Sequence, residues 1–308
     1  MVFMPTTEQT KLERWIQAAC IAEASVPKPG NVHPGADFPD LRYEDFVRSA
    51  ALASPFLAQA GTLGVGPAIL EAIRATRQVV NTNTNLGICL LIAPLAAVPL
   101  EQDWREGVAD VLSRTTLDDS IAVYWAIRCA EPGGMGQIDA QDVSEQPTLP
   151  LKEVMQLGAA GTRETLFHPR DSIARQYTEN YWQVDLAVES FRRWTLRTSL
   201  ENSIIGLHLS LLAAIPDTLI ARKRGISTAI EAACRAAGVL SDGWPENPVS
   251  NRRLAEFDAW LRADGHQRNP GTTADLVAAV LFLALRERHV SVGELESLAV
   301  EVICEESE

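Results

Sequence analysis

Glu23 is the first residue of this 308-residue chain that stands where it should be costly. It falls three helical turns after Leu12, so it projects from the apolar stripe of Leu12, Ile16 and Ala19. A carboxylate on such a face needs a cation, a metal or a hydrogen-bond donor, unless the stripe simply runs out into solvent before the Lys28 turn. Asp275 poses the same question. Asn269-Pro270-Gly271-Thr272-Thr273 reads as a turn into a helix, with Asp275 in its first turn and an apolar wall from Leu276 to Leu283 behind it. A helix apolar on every side is buried, so its N-terminus is expected to point into a pocket, where free N–H groups favour an anion or a carboxylate. The plainer alternative makes Thr272 or Thr273 an N-cap and Asp275 a partner of the helix dipole.

Three further acidic residues join them. Asp118 and Asp119 follow Thr115 and Thr116, and Asp118 shares a face with Ile121, Ala122 and Trp125, which predicts that it looks inward. Complementing a helix N-terminus would account for the same pair. Asp217 stands at the Pro216 break between two apolar helices, one turn before Arg222 and Lys223, a pattern that suits a cap or a phosphate site. Inward acids on separate helices suggest a divalent-cation site, with Asp118, Asp119 and Asp217 as candidate Mg²⁺ ligands; hard Mg²⁺ takes oxygen ligands and bridges to substrate phosphates. The five histidines show no paired spacing and offer no soft-metal alternative. No P-loop, dinucleotide fingerprint or nucleophile elbow occurs.

The elements that must position these groups are helices. Apolar residues recur at helical spacing along most of the chain, and alternating strand-like runs are scarce. A first helix begins at Thr6 or Thr7 with Gln9 completing a capping box, and ends before Pro27. Further helices are expected at about 41–53, 66–80, 85–97, 103–113, 117–129, 151–159, 169–179, 182–193, 197–214, 218–237, 250–263, 273–287 and 291–304. Residues 131–150, rich in Gly and Pro, read as a surface loop. The expectation is a single all-α domain over 1–308 with a buried acidic pocket.

Composition narrows the partners. Lys+Arg 27 against Asp+Glu 40 gives a formal charge of −13, which leaves nothing basic to track nucleic acid or an anionic membrane surface. Leu86 to Leu100 is apolar but carries Pro94 and Pro99, and is read as a buried core helix rather than a membrane span. Five scattered cysteines without a CxxC pair predict a reduced, cytoplasmic protein. Arg170, Arg175 and Arg192-Arg193 form a second basic group, better read as a solvated helix face given Asp171 and Glu179 between them.

Four blocks carry a resemblance: Glu23-Ala-Ser-Val-Pro-Lys-Pro-Gly-Asn-Val32, Asn83-Thr-Asn-Leu-Gly87, Asp217-Thr-Leu-Ile-Ala-Arg-Lys223 and Asn269-Pro-Gly-Thr-Thr-Ala-Asp-Leu276. Together, and in this order, they resemble the triphosphoribosyl-dephospho-CoA synthase family. The resemblance implies an all-helical enzyme that uses ATP to place a triphosphoribosyl group on the 2′-hydroxyl of 3′-dephospho-CoA, releasing adenine. The product is the precursor of the prosthetic group of citrate lyase and malonate decarboxylase acyl carrier subunits. Glu23, Lys28, Pro29 and Gly30 fall on the family's opening motif. Asn83, Thr84 and Gly87 match an Asn-Thr-His-Lys-Gly pattern in which Asn85 and Leu86 replace the His and Lys. Asp217 and Gly225 fit a later block, from which Leu219 and Arg222 depart and in which Lys223 takes the basic place.

The expected chemistry is glycosyl transfer at C1′ of ATP, with Mg²⁺ assisting. Glu23 and Asp275 are the candidate catalytic carboxyls. Lys28, Gly30, Asn31, Asn83, Thr84, Asn85, Arg222, Lys223, Asn269 and Gly271 are the candidate substrate- and phosphate-binding residues. The departures at Asn85 and Leu86 resemble a divergent branch. They leave open another acceptor, in tetrahydromethanopterin-linked one-carbon metabolism, and a relative that binds nucleotide without catalysis.

Overall fold

The computed structural model describes residues 5–132, 143–160 and 171–305, with side chains as far as residue 299. Its helices are α1 (Thr7–Ser25), α2 (Tyr43–Leu57), α3 (Ala60–Leu63), α4 (Val65–Arg77), α5 (Leu86–Ala96), α6 (Trp104–Ser113), α7 (Leu117–Ala130) and α8 (Leu151–Ala160). They continue as α9 (Ser172–Thr178), α10 (Trp182–Thr195), α11 (Leu200–Ala214), α12 (Thr218–Arg224), α13 (Ile226–Ser241), α14 (Pro248–Arg262), α15 (Gly271–Arg286) and α16 (Val292–Glu305). A four-residue extended segment, β1 (Ala263–His266), interrupts the series. The protein is all-α, as its periodicity predicts. The span expected as one helix over 218–237 is broken at Gly225, whose φ of 86° ends α12 and starts α13. The expected loop at 131–150 and the start of the helix expected at 169 fall partly outside the described residues, as does Arg170.

Two helices buried along their length form the centre. Every residue of α5 is buried, and in α15 everything from Leu276 to Leu285 is. Around this pair pack α1, α4, α9, α10 and α11, sharing one apolar core that runs from Leu12 to Leu295. Pro94 lies inside α5 and deprives the Leu90 carbonyl of its ordinary N–H donor. The buried Tyr177 hydroxyl donates to that carbonyl at 2.7 Å, and Tyr181 donates to the Leu91 carbonyl at 2.8 Å. The proline that would weaken the helix thus becomes the point at which the α9–α10 segment is fixed to it. Among the described residues no single helix is long and apolar enough to cross a membrane.

A second, small cluster of Val32, Phe38 and Leu41 folds the 31–42 segment over one end of the bundle. The Arg262 guanidinium bonds the carbonyls of Asn31 and Ala36 and lies over the Phe38 ring. Its neighbour Asp258 accepts from Gly30 N at 2.7 Å. Gly30 is obligatory twice over: its φ is 78°, and a Cβ there would stand 2.7 Å from Leu261 Cδ1 and 2.9 Å from Pro270 Cδ.

Candidate active site

One cleft of about 770 Å³ gathers most of the residues singled out by the sequence. Its walls come from α1, the 31–42 segment, the 82–85 turn, α5, α7, α8, α9, α12 and the start of α15.

Glu23 lies on the cleft wall and is buried, on the same stripe as Leu12, Ile16 and Ala19, so the stripe does not run out into solvent. Its partner is Lys28, at 3.0 Å, and Lys28 is wholly inaccessible. The Lys28 ammonium also donates to the main-chain carbonyls of Glu23 and Val26. All three of its N–H groups are used, and it does not line the cleft. The expectation that Lys28 contacts phosphate is therefore corrected. It clasps the end of α1 and faces the Glu23 carboxylate. His208 of α11 is buried beside it, and burial followed by the Lys28 charge hold its imidazole well below the ordinary value.

Asp275 also faces the cleft, from the second turn of α15 rather than the first, because the helix begins at Gly271. Its carboxyl lies against Gly87, where a Cβ would stand 1.9 Å from Oδ2. Gly87 belongs to the opening turn of α5, so the carboxyl is seated at a helix N-terminus whose N-cap residue, Asn85, makes no side-chain cap. Burial, and then the charge of Glu23, push the Asp275 carboxyl well above the ordinary aspartate range. The same two acids raise the Cys20 thiol, after its own burial.

Arg222 and Lys223 put the positive charge on the cleft, both from the last turn of α12. Arg222 pairs with Asp171 at 2.6 Å. Burial, followed by the neighbouring Arg222, lowers Lys223 below an ordinary lysine. Asp171 carries the N-cap of α9 on its other oxygen, accepting from Ile173 N and Ala174 N. Its position on the cleft was missed in the sequence, where it counted only as an acid within a basic group; an Asp two residues before an apolar helical run is the N-cap signal that could have found it.

Asn31 and Asn269 meet across the cleft at 2.7 Å, and the Asn31 side-chain oxygen is buried without a partner among the described residues. The 82–85 turn is held from behind. Thr84 shares a 2.6 Å hydrogen bond with Ser49, Asn85 donates to Thr76, and Asn83 accepts from Leu86 N. Asn83, Thr84, Asn85 and Gly271 all line the cleft, as expected; Gly30 does not, and acts through the backbone turn. Gly271 allows close contact with Leu219, whose Cδ2 would be 2.7 Å from a Cβ there.

The expected metal triad is not assembled. Asp118 is exposed, and Trp125 on the face it was expected to share is 50% exposed, so that face is the outside of α7. Asp119 completes a capping box with Thr116 and accepts from Gly66 N at 2.8 Å, joining α7 to α4. Asp217 is the N-cap of α12 through Leu219 N and Ile220 N. Its other oxygen accepts from both Thr273 N and Thr273 Oγ1 at 2.8 Å, capping α15 as well. With four hydrogen bonds its lone pairs are committed. Among the described residues no group of three or more His, Cys, Asp or Glu side chains converges as a metal site.

The lining from α7, α8 and α9 is mostly apolar, with Val123, Ile127, Leu151, Val154, Met155 and Ile173, and Tyr124 and Glu131 among them. No sequence signal distinguished these residues from ordinary core. Arg175 and Arg192 pair with Glu179 and Glu189 on their own helices, in keeping with a solvated face.

An all-helical bundle that brings Glu23, Asp171, Asp275, Arg222 and Lys223 to one cleft has the convergent polar groups of an enzyme site, with acid–base groups and positive charge on one cavity. Comparison with known proteins gives the family. Residues 9–293 match the CitG family, ATP:dephospho-CoA triphosphoribosyl transferase, and the chain belongs to that family of transferases. A crystal structure described as that of a triphosphoribosyl-dephospho-CoA synthase from Archaeoglobus fulgidus is similar at 25% identity and a TM-score of 0.58. The likeness covers 78% of this chain and 97% of that one. No curated protein matches the sequence.

Proposed function

We propose that the protein transfers the triphosphoribosyl group of ATP to the 2′-hydroxyl of 3′-dephospho-CoA and releases adenine. The observation that carries this reading is the meeting of Glu23, Asp275, Arg222 and Lys223 on one cleft, in a chain that matches the family from residue 9 to 293. Arg222 and Lys223 neutralise the triphosphate, which is retained in the product. Asn31, with its unpartnered side-chain oxygen, and Asn269 offer hydrogen bonds to sugar hydroxyls. Departure of adenine leaves positive charge on the ribose ring, and the Glu23 carboxylate stabilises that charge and takes the proton of the attacking hydroxyl. Mg²⁺ enters with ATP as part of the substrate, its ligands being phosphate oxygens and water.

A second reading keeps the transfer and changes the acceptor, to one belonging to tetrahydromethanopterin-linked one-carbon metabolism. It is favoured by Leu86, an apolar cleft residue at the position where the family pattern has a lysine. Adenine release from Mg·ATP, followed by chromatography with and without 3′-dephospho-CoA, tests both. Release that depends on dephospho-CoA supports the first. Binding of Mg·ATP, seen as a raised melting temperature, without release in its presence supports the second. Neither signal means a relative that has lost the reaction.

A further inference from the structure

Two of the carboxyl groups on the cleft, those of Glu23 and Asp275, are not equivalent. Glu23 is paired with Lys28 at 3.0 Å. Asp275 makes no hydrogen bond or ion pair among the described residues, though it is on the same cleft. Its position is equally distinct. The point 1.9 Å from its Oδ2, where Gly87 lacks a Cβ, is 2.9 Å from Ile173 Cδ1. Ile173 begins the apolar wall and neighbours Asp171, which holds Arg222. Asp275 therefore adjoins, through Ile173, the seam between the Arg222–Asp171 pair and the apolar lining. A substrate with phosphates at one end and a flat, weakly polar ring at the other would cross that seam at the bond joining sugar to ring.

We propose that Asp275 is the proton donor to the leaving base, which lies against the apolar lining of the cleft, while Glu23 is the proton acceptor for the attacking hydroxyl. This rests on the transfer reading above. In the step, the acceptor oxygen forms a bond to C1′ as the C1′–N9 bond breaks, and its electron pair goes to the adenine ring. The hydroxyl proton passes to Glu23 and the Asp275 proton to a ring nitrogen, so adenine leaves neutral. The protein ends with one proton moved between two carboxyl groups, and exchange with water through the open cleft restores both. Asp275 has no cationic partner among the described residues and burial raises its carboxyl, which suits a proton donor, while Glu23 faces the Lys28 ammonium at 3.0 Å; paired acids separated by environment divide labour in this way in other glycosyl-transfer sites.

The test compares two donors in wild type, Asp275→Asn and Glu23→Gln: ATP, and a ribose 5′-triphosphate carrying 4-nitrophenol at C1′. Nitrophenolate leaves without being protonated, so it does not need the acid. Asp275→Asn is expected to lower kcat on ATP by about 10²–10⁴-fold and to leave nitrophenolate release close to wild type. Glu23→Gln is expected to slow both donors. The alkaline limb of the wild-type kcat profile on ATP should vanish in Asp275→Asn, whatever the second donor does, and a melting curve shows that the variant is folded. Equal losses on both donors, an unchanged rate on ATP, or an alkaline limb that persists overturns the assignment while leaving the transfer reading intact. Wild type that releases no adenine with any acceptor overturns both.

Discussion

Lys28 and Glu23 form a buried ion pair five residues apart, across the end of the helix that carries the acid. The lysine expected as a candidate phosphate contact is instead spent entirely on protein acceptors. Removing one partner of such a pair leaves an uncompensated buried charge. Lys28→Met should destabilise the fold by about 3–5 kcal/mol, read by urea unfolding. A variant of full stability with only a raised KM for ATP would return Lys28 to phosphate binding.

Arg222 and Lys223 are the cations that do reach the cleft. Arg222→Gln and Lys223→Gln should raise KM for ATP, and each should change unfolding free energy by no more than about 1 kcal/mol, because the Arg222–Asp171 pair is partly exposed and Lys223 makes only a 3.5 Å hydrogen bond to the His266 carbonyl. Initial-rate kinetics together with melting curves would show this separation. Loss of stability without an effect on KM would contradict it.

Asp275 gives the fold a pH dependence whose sign follows from its raised value. Above the ordinary 3.8, the unfolded chain gives up the proton while the folded protein keeps it. Stability contributed by this group is thus lost as pH rises from 3.8 towards the raised native value. Asp275→Asn removes the slope, so the variant should melt above wild type by a margin that widens with pH. Parallel melting profiles would show that burial does not hold the proton.

Asp217 is a test of capping against metal binding. Asp217→Ala removes the side-chain caps of α12 and α15 together, each cap being worth about 0.5–2 kcal/mol. The expected result is a large fall in urea midpoint, with calorimetric Mg²⁺ affinity of the ATP-bound protein unchanged once folded. A specific loss of Mg²⁺ affinity at unchanged stability would restore it as a ligand.

Gly87→Ala probes the seating of Asp275 with one methyl group. The added Cβ would overlap Oδ2, so the carboxyl must move. Adenine release should fall to a level near that of Asp275→Asn while the far-ultraviolet circular dichroism remains that of wild type. Unchanged turnover would mean that the position of the carboxyl is immaterial.

Helix identity was legible because it is local. The capping box of Thr6 and Gln9, the stripe ending at Glu23 and the apolar run of α5 each follow from spacing within a few turns. The four blocks of short motif also sufficed to place the chain in its family. Which acids meet was not local. Asp118, Asp119 and Asp217 share the sequence context of cleft acids, yet two are helix caps and one faces solvent. An N-cap and a catalytic acid both stand at a helix start, and only the neighbouring element decides whether the lone pairs meet backbone N–H groups or a cavity. Thr273, fifty-six residues on, takes those of Asp217. Glycine 87 leaves room for those of Asp275. The sequence determined the helices, the family and the presence of buried acid, because each depends on contacts a turn or two apart. The tertiary structure alone decided which carboxyl is paired, which is capped and which is left facing the cleft, because those partners arrive from helices distant in the chain.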